Sequence, residues 1–159
     1  MMRSELELHG TAHPDDATWI LHFGYPTNPV PMNGSQGNPR ANARKAKQIR
    51  LRAAYLARSA GIPLLGRCRA QVTWWVAINR TRDTDNLARL EKPMYDGLVD
   101  ACVVPDDRPA FMEKPRPVIQ HLSEAGGLVT VPCFTLTVTR VDLEDEWGDG
   151  TPRLGSEDA

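Results

Sequence analysis

The chain has 159 residues, 41% of them hydrophobic and 25% charged, which suits one soluble globular domain with a real core and excludes a wholly disordered chain. Lys and Arg total 19 against 20 Asp and Glu, a formal net charge of -1 that, as a bare sum, argues against a polyanion partner. No window reaches the roughly 18 apolar residues of a membrane span, and residues 1–7 lack the apolar run of a signal peptide, so a cytoplasmic protein with no membrane partner is expected.

Residues 1–16 read as an N-terminal extension. His9 and His13 lie four apart there, but Gly10 and Pro14 spoil a helix, which argues against a metal site. Ala17 to Phe23 reads as a first strand, with Trp19, Leu21 and Phe23 on one face. Gly24 to Asn38 is dense in Pro, Gly and Asn, and a patternless segment of that length is a candidate binding loop.

Asn38-Pro39 opens a helix, because an Asn side chain can cap free N–H groups and Pro suits the first helical position. It should run to about Ala60, closed by Gly61, with Ile49, Ala53, Leu56 and Ala60 as its buried stripe. Between Asp16 and Asp83 there is no acid, while Arg40, Arg44, Lys45, Lys47, Arg50, Arg52, Arg58, Arg67, Arg69, Arg80 and Arg82 supply eleven bases. A solvated helix usually mixes signs. A helix with none of its own acids at i±4 is poised for phosphates.

Cys68 to Ile78 reads as a strand, with Cys68, Ala70, Val72, Trp74, Val76 and Ile78 facing the core and Arg69, Gln71, Thr73 and Trp75 on a more polar face. A second helix follows Asp85, carrying Leu87, Leu90, Tyr95, Leu98, Val99 and Cys102, with a kink or restart at Pro93. Val118–Leu122 and Leu128–Val141, separated by Gly126-Gly127, read as a hairpin, with Pro132 at an edge or bulge. The expected fold is α/β (α+β): a single small domain over 17–142, with a mixed sheet of about four strands and two main helices. Residues 143–159 are read as an acidic, disordered tail; from Asp142 to Asp158 there are seven acids against Arg153 alone. Cys68, Cys102 and Cys133 are odd in number and never in a C-x-x-C, which points to buried thiols in a reducing compartment rather than disulfides or zinc.

Acids return at Asp83-Thr84-Asp85-Asn86, where the apolar strand ends and a helix begins, and again at Asp106-Asp107 after that helix. Carboxylates brought together repel unless a cation sits among them, and oxygen-only donors favour a hard cation such as Mg²⁺. The bland alternative makes Asp85 an N-cap, Asp83 a turn residue and Pro105-Asp106-Asp107 a turn. A P-D…(D/E)-x-K nuclease pattern fails because Glu113-Lys114 is out of register, and a phosphatase-type D-x-D-x-T/V fails at Leu87.

D-T-D-N at 83–86, K-P-M-Y-D-G-L at 92–98 and P-D-D at 105–107 resemble the RusA family of Holliday junction resolvases of bacteria and their phages. The close match covers 83–107; the flanking order of elements fits more loosely from about 17 to 141. The resemblance implies a RusA-like fold and a homodimeric, Mg²⁺-dependent endonuclease that cuts four-way junctions and other branched DNA during recombination and repair. Asp83, Asp85 and Asp107 match the family's metal-binding acids, with Asp106 beside them. Aligned backward from Asp96-Gly97-Leu98, Lys92 takes the place of the family's catalytic lysine; counted forward from Asp85, Arg89 does. The residues expected to track the DNA backbone are Arg40, Arg44, Lys45, Lys47, Arg50, Arg69, Arg80, Arg82 and Arg89. The rival reading is a non-catalytic DNA-binding module, which keeps the basic helix and treats the acids as caps and turns. Nothing positive speaks for a third, a phage assembly or adaptor protein.

Overall fold

A computed structural model describes residues 17–32 and 38–141. The expected N-terminal extension, including His9 and His13, and the acidic tail lie outside the described residues. Five strands and two helices follow one another as β1 (Thr18–Phe23), α1 (Pro39–Ser59), β2 (Cys68–Val76), α2 (Ala88–Asp100), β3 (Met112–Glu113), β4 (Val118–His121) and β5 (Cys133–Arg140). They form one small α+β domain with a mixed sheet. β5 lies between β1 and β2 and pairs antiparallel with both, and β3 and β4 pair parallel with the far side of β2. β3 and β4 are two pieces of one edge, so the sheet is four strands wide. Parallel pairing needs a crossover, and α2 supplies it.

α1 is bounded by the residues that its sequence marks. The Asn38 side chain accepts from the Arg40 N–H, Pro39 takes the first helical position, and Gly61 follows the last turn at φ 69°. One core joins Ile49, Ala53 and Leu56 of α1, Leu90, Met94 and Leu98 of α2, and a single sheet face carrying Leu21, Phe23, Val72, Phe134 and Leu136. Gly97 lets the helices meet: a Cβ there would stand 2.5 Å from Ala53 Cβ and 2.6 Å from the Arg50 carbonyl oxygen. Among the described residues no helix is long and apolar enough to cross a membrane.

Several local expectations are corrected. β4 and β5 do not form a hairpin; β2 lies between them. The connection is too long for a tight hairpin turn, and it covers the sheet instead, since Leu122, Ala125 and Val129 pack with Cys133 over Trp75. Trp75 is therefore buried rather than on a polar face, and its indole N–H donates to Thr135 Oγ1 at 3.0 Å. Ile78 lies past the end of β2 and is exposed. α2 runs through Pro93 as one assigned helix, entered by a 3-10 turn at Thr84–Leu87. Cys68 and Cys133 are buried, but Cys102 is exposed.

Candidate functional site

Past β2, Arg82 folds back on the chain. Its guanidinium lies 5.1 Å over the Trp74 ring and donates to the Ile78 carbonyl at 2.8 Å. Asp83 follows, and it caps the 3-10 turn: its Oδ1 accepts from the Asp85 N–H at 2.9 Å. The capping role expected of Asp85 thus falls to Asp83, two residues earlier, and the Asp85 side chain is exposed. Its Oδ1 takes a 3.0 Å ion pair from Arg116. Asn86 ties this turn to the Gly24–Asn38 loop, since its Oδ1 accepts from the Met32 N–H at 2.6 Å and its carbonyl from Asn28 Nδ2 at 3.0 Å.

Lys92, not Arg89, faces the second acidic cluster. Its Nζ is 2.9 Å from Asp107 Oδ2 and 2.9 Å from Asp96 Oδ1, one turn along α2. Arg89 instead reaches the Pro31 carbonyl at 3.5 Å. Lys114 adds a second cation to Asp107 Oδ2 at 3.0 Å. The hydrogen bonds from Lys92 and then Lys114 hold the Asp107 carboxyl well below the usual range, so it is ionised at any working pH. The same bond to Asp107, with that to Asp96, raises Lys92 above its ordinary value. Asp106 turns elsewhere: one oxygen accepts from the Asp107 N–H at 2.7 Å and the other pairs with Arg108 at 2.6 Å. Below Lys114, whose Nζ is 5.3 Å from the Tyr95 ring centroid, Tyr95 O–H donates to Glu91 Oε1 at 2.8 Å. Burial pushes the Glu91 carboxyl up.

The basic residues divide. Arg40, Arg44, Lys45 and Lys47 are exposed on α1 and form no ion pair among the described residues. Arg50 does find an acid, on α2 rather than on its own helix: its guanidinium makes two bonds to Asp100, at 2.6 and 2.7 Å. Arg69 pairs with Glu113 at 2.8 Å. Arg80 is exposed beyond β2, and Arg82 is spent in part on Trp74. A cleft of about 520 Å³ between the helices is lined by Lys47, Arg50, Lys92 and Asp96, and so connects the basic helix to the Lys92 cluster.

As donors, Asp83, Asp85 and Asp107 are oxygen-only and suit a hard divalent cation such as Mg²⁺. In the described geometry protein cations face two of them, Arg116 on Asp85 and both lysines on Asp107. No group of three His, Cys, Asp or Glu side chains among the described residues is gathered to hold a metal. Sequence reasoning missed Lys114 and Arg116. Their signal was available in K-P-R-P at 114–117, two bases alternating with two prolines. No family model and no curated protein matches the chain.

Proposed function

We propose that the chain is a Mg²⁺-dependent endonuclease that resolves four-way junctions and related branched DNA, acting as a homodimer in the bacterial cytoplasm. One observation carries the reading: the 2.9 Å contact between Lys92 on α2 and Asp107 beyond it. The resemblance makes these the helical lysine and the last acid of one constellation, and the fold of the intervening chain brings them side by side. Lys47, an exposed base of α1, supports it by sharing with Lys92 the cleft between the helices.

Asp83, Asp85 and Asp107 would hold the metal. The chemistry supplied by a bound divalent cation would be activation of an attacking water and neutralisation of charge on the leaving oxygen. The chain's own residues do the rest. Lys92 balances charge on the scissile phosphate. Asp83 braces the turn that carries Asp85, and Asn86 fixes that turn against the Asn28–Met32 loop. Arg40, Arg44, Lys45 and Lys47 hold the backbone at a distance from the cut. A two-fold dimer would set one site at each of a junction's two symmetric scissile phosphates.

One observation favours the rival, a DNA-binding module without chemistry: Asp83 is used as a cap, and Asp85 and Asp107 as ion-pair partners. A single assay separates the two. A labelled four-way junction is incubated with and without Mg²⁺, alongside Asp85→Asn. The nuclease gives nicks only with metal, and Asp85→Asn lowers cutting by a factor of about 100 or more while binding persists. A gel shift without nicks supports the module, and normal cutting by Asp85→Asn refutes the catalytic assignment.

A further inference from the structure

The sheet edge beside β2 is interrupted. Arg69 pairs with Glu113 and Thr73 with Val118. β2 thus advances four residues where its partner advances five, and the extra residue makes an edge bulge. Bulges re-aim side chains, often beside active sites. Here the bulge is Lys114-Pro115-Arg116-Pro117. The prolines remove N–H donors and restrict the backbone, and Gln71 Nε2 pins the bulge by donating to the Arg116 carbonyl at 3.0 Å. Lys114 and Arg116 point at different acids, Asp107 and Asp85, each 3.0 Å away. One short segment thus touches both acidic clusters. A cleft of about 780 Å³, lined by Arg67, Arg69, Gln71 and Lys114, borders it.

We propose that Lys114 and Arg116 are a phosphate clamp: two cations on the bulge that hold neighbouring phosphates of one DNA strand, exchanging Asp107 and Asp85 for the strand when it binds. Two residues of chain separate their Cα atoms by at most about 7 Å, comparable to the step between successive phosphates. The exchange is cheap for Arg116, since exposed ion pairs contribute little and both it and Asp85 are mostly solvent-accessible. The proposal rests on the nucleic-acid reading above and assigns the strand's position within it.

The test is fluorescence anisotropy of a labelled four-way junction, titrated with salt, in Ca²⁺ in place of Mg²⁺. Lys114→Gln, Arg116→Gln and the double variant are compared with wild type. Arg140→Gln, an exposed base on β5 far along the sequence from the acids, controls for the charge change. Each clamp variant should weaken binding about 3–10-fold at low salt and lower the slope of log K against log salt by about one, and the double variant by about two. Lys114→Arg should restore the slope, which a loss of packing would not explain. Wild-type binding with slopes unchanged in both single variants, or a drop of the same size in Arg140→Gln, overturns the clamp alone. No binding by the wild type overturns the nucleic-acid reading and the clamp with it.

Discussion

Two residues end two helices in the same way, and only one is suited to it. After α1, Gly61 sits at φ 69° while the N–H groups of Gly61 and Ile62 reach back to Arg58 and Ala57. After α2, Cys102 sits at φ 60° while those of Cys102 and Val103 reach back to Val99 and Leu98. Both are the left-handed closure that glycine takes without steric cost. A Cβ in that region costs roughly 1–2 kcal/mol, partly offset by the extra chain entropy that glycine loses on folding. Cys102→Gly should therefore stabilise the protein by about 1 kcal/mol, seen as a rise of roughly 2–4 °C in melting temperature. No change would show that the Cys102 backbone is unstrained. The contrast also explains what sequence reading can reach. Gly61 announces its helix end by residue type, whereas at Cys102 tertiary packing imposes a conformation its residue type does not signal.

Among elements, the α1–α2 contact decides the geometry of the site, because α2 carries Lys92 and Asp96 and α1 carries the bases. The methyl added by Gly97→Ala would meet the Arg50 carbonyl and the Ala54 nitrogen as well as the Ala53 side chain. Backbone cannot swing aside, so the helices must separate. The expected cost is about 2 kcal/mol after a helix-propensity gain near 1 kcal/mol. Denaturant unfolding should report the loss, and on the nuclease reading proposed above junction cutting should fall with it as Lys92 shifts from Asp107. Wild-type stability would mean that the interface has slack. Helix positions and the class of the fold were legible because caps and periodicity are local signals. The pairing of β4 and β5 was not, since two extended segments beside a Gly-Gly turn look alike whether they pair with each other or with a third strand. The acids were legible as two clusters on either side of one helix, whereas spacing left Lys92 and Arg89 both open as the helical cation, and only the fold shows that Lys92 is the one beside Asp107. Lys114 and Arg116 were visible as bases in K-P-R-P, but their direction toward Asp107 and Asp85 was not, because it depends on the break in the sheet edge.

For the whole molecule, net charge is the wrong summary. Residues 17–141 carry 17 Lys and Arg against 9 Asp and Glu, and the acidic excess of the remainder lies mostly after Val141. On the nucleic-acid reading proposed above, an anionic segment joined to a cationic body would compete with DNA for the same bases. Ending the chain at Val141 should tighten junction binding by about 3–10-fold at low salt, and the gain should fade as added salt shortens the screening length. Equal affinities at low salt would show that the tail is electrostatically idle.

The pairing of β1 with β5 has a topological corollary. Thr18 lies opposite Thr139, and the Arg140 N–H donates to the Ala17 carbonyl at 2.8 Å. The described chain therefore enters and leaves the sheet at one corner, a strand spacing of about 5 Å apart. It is in effect a ring of elements with a single gap. A short peptide closing that gap, with new ends opened in an exposed connection such as 126–128, would permute the order of the strands without re-routing any of them.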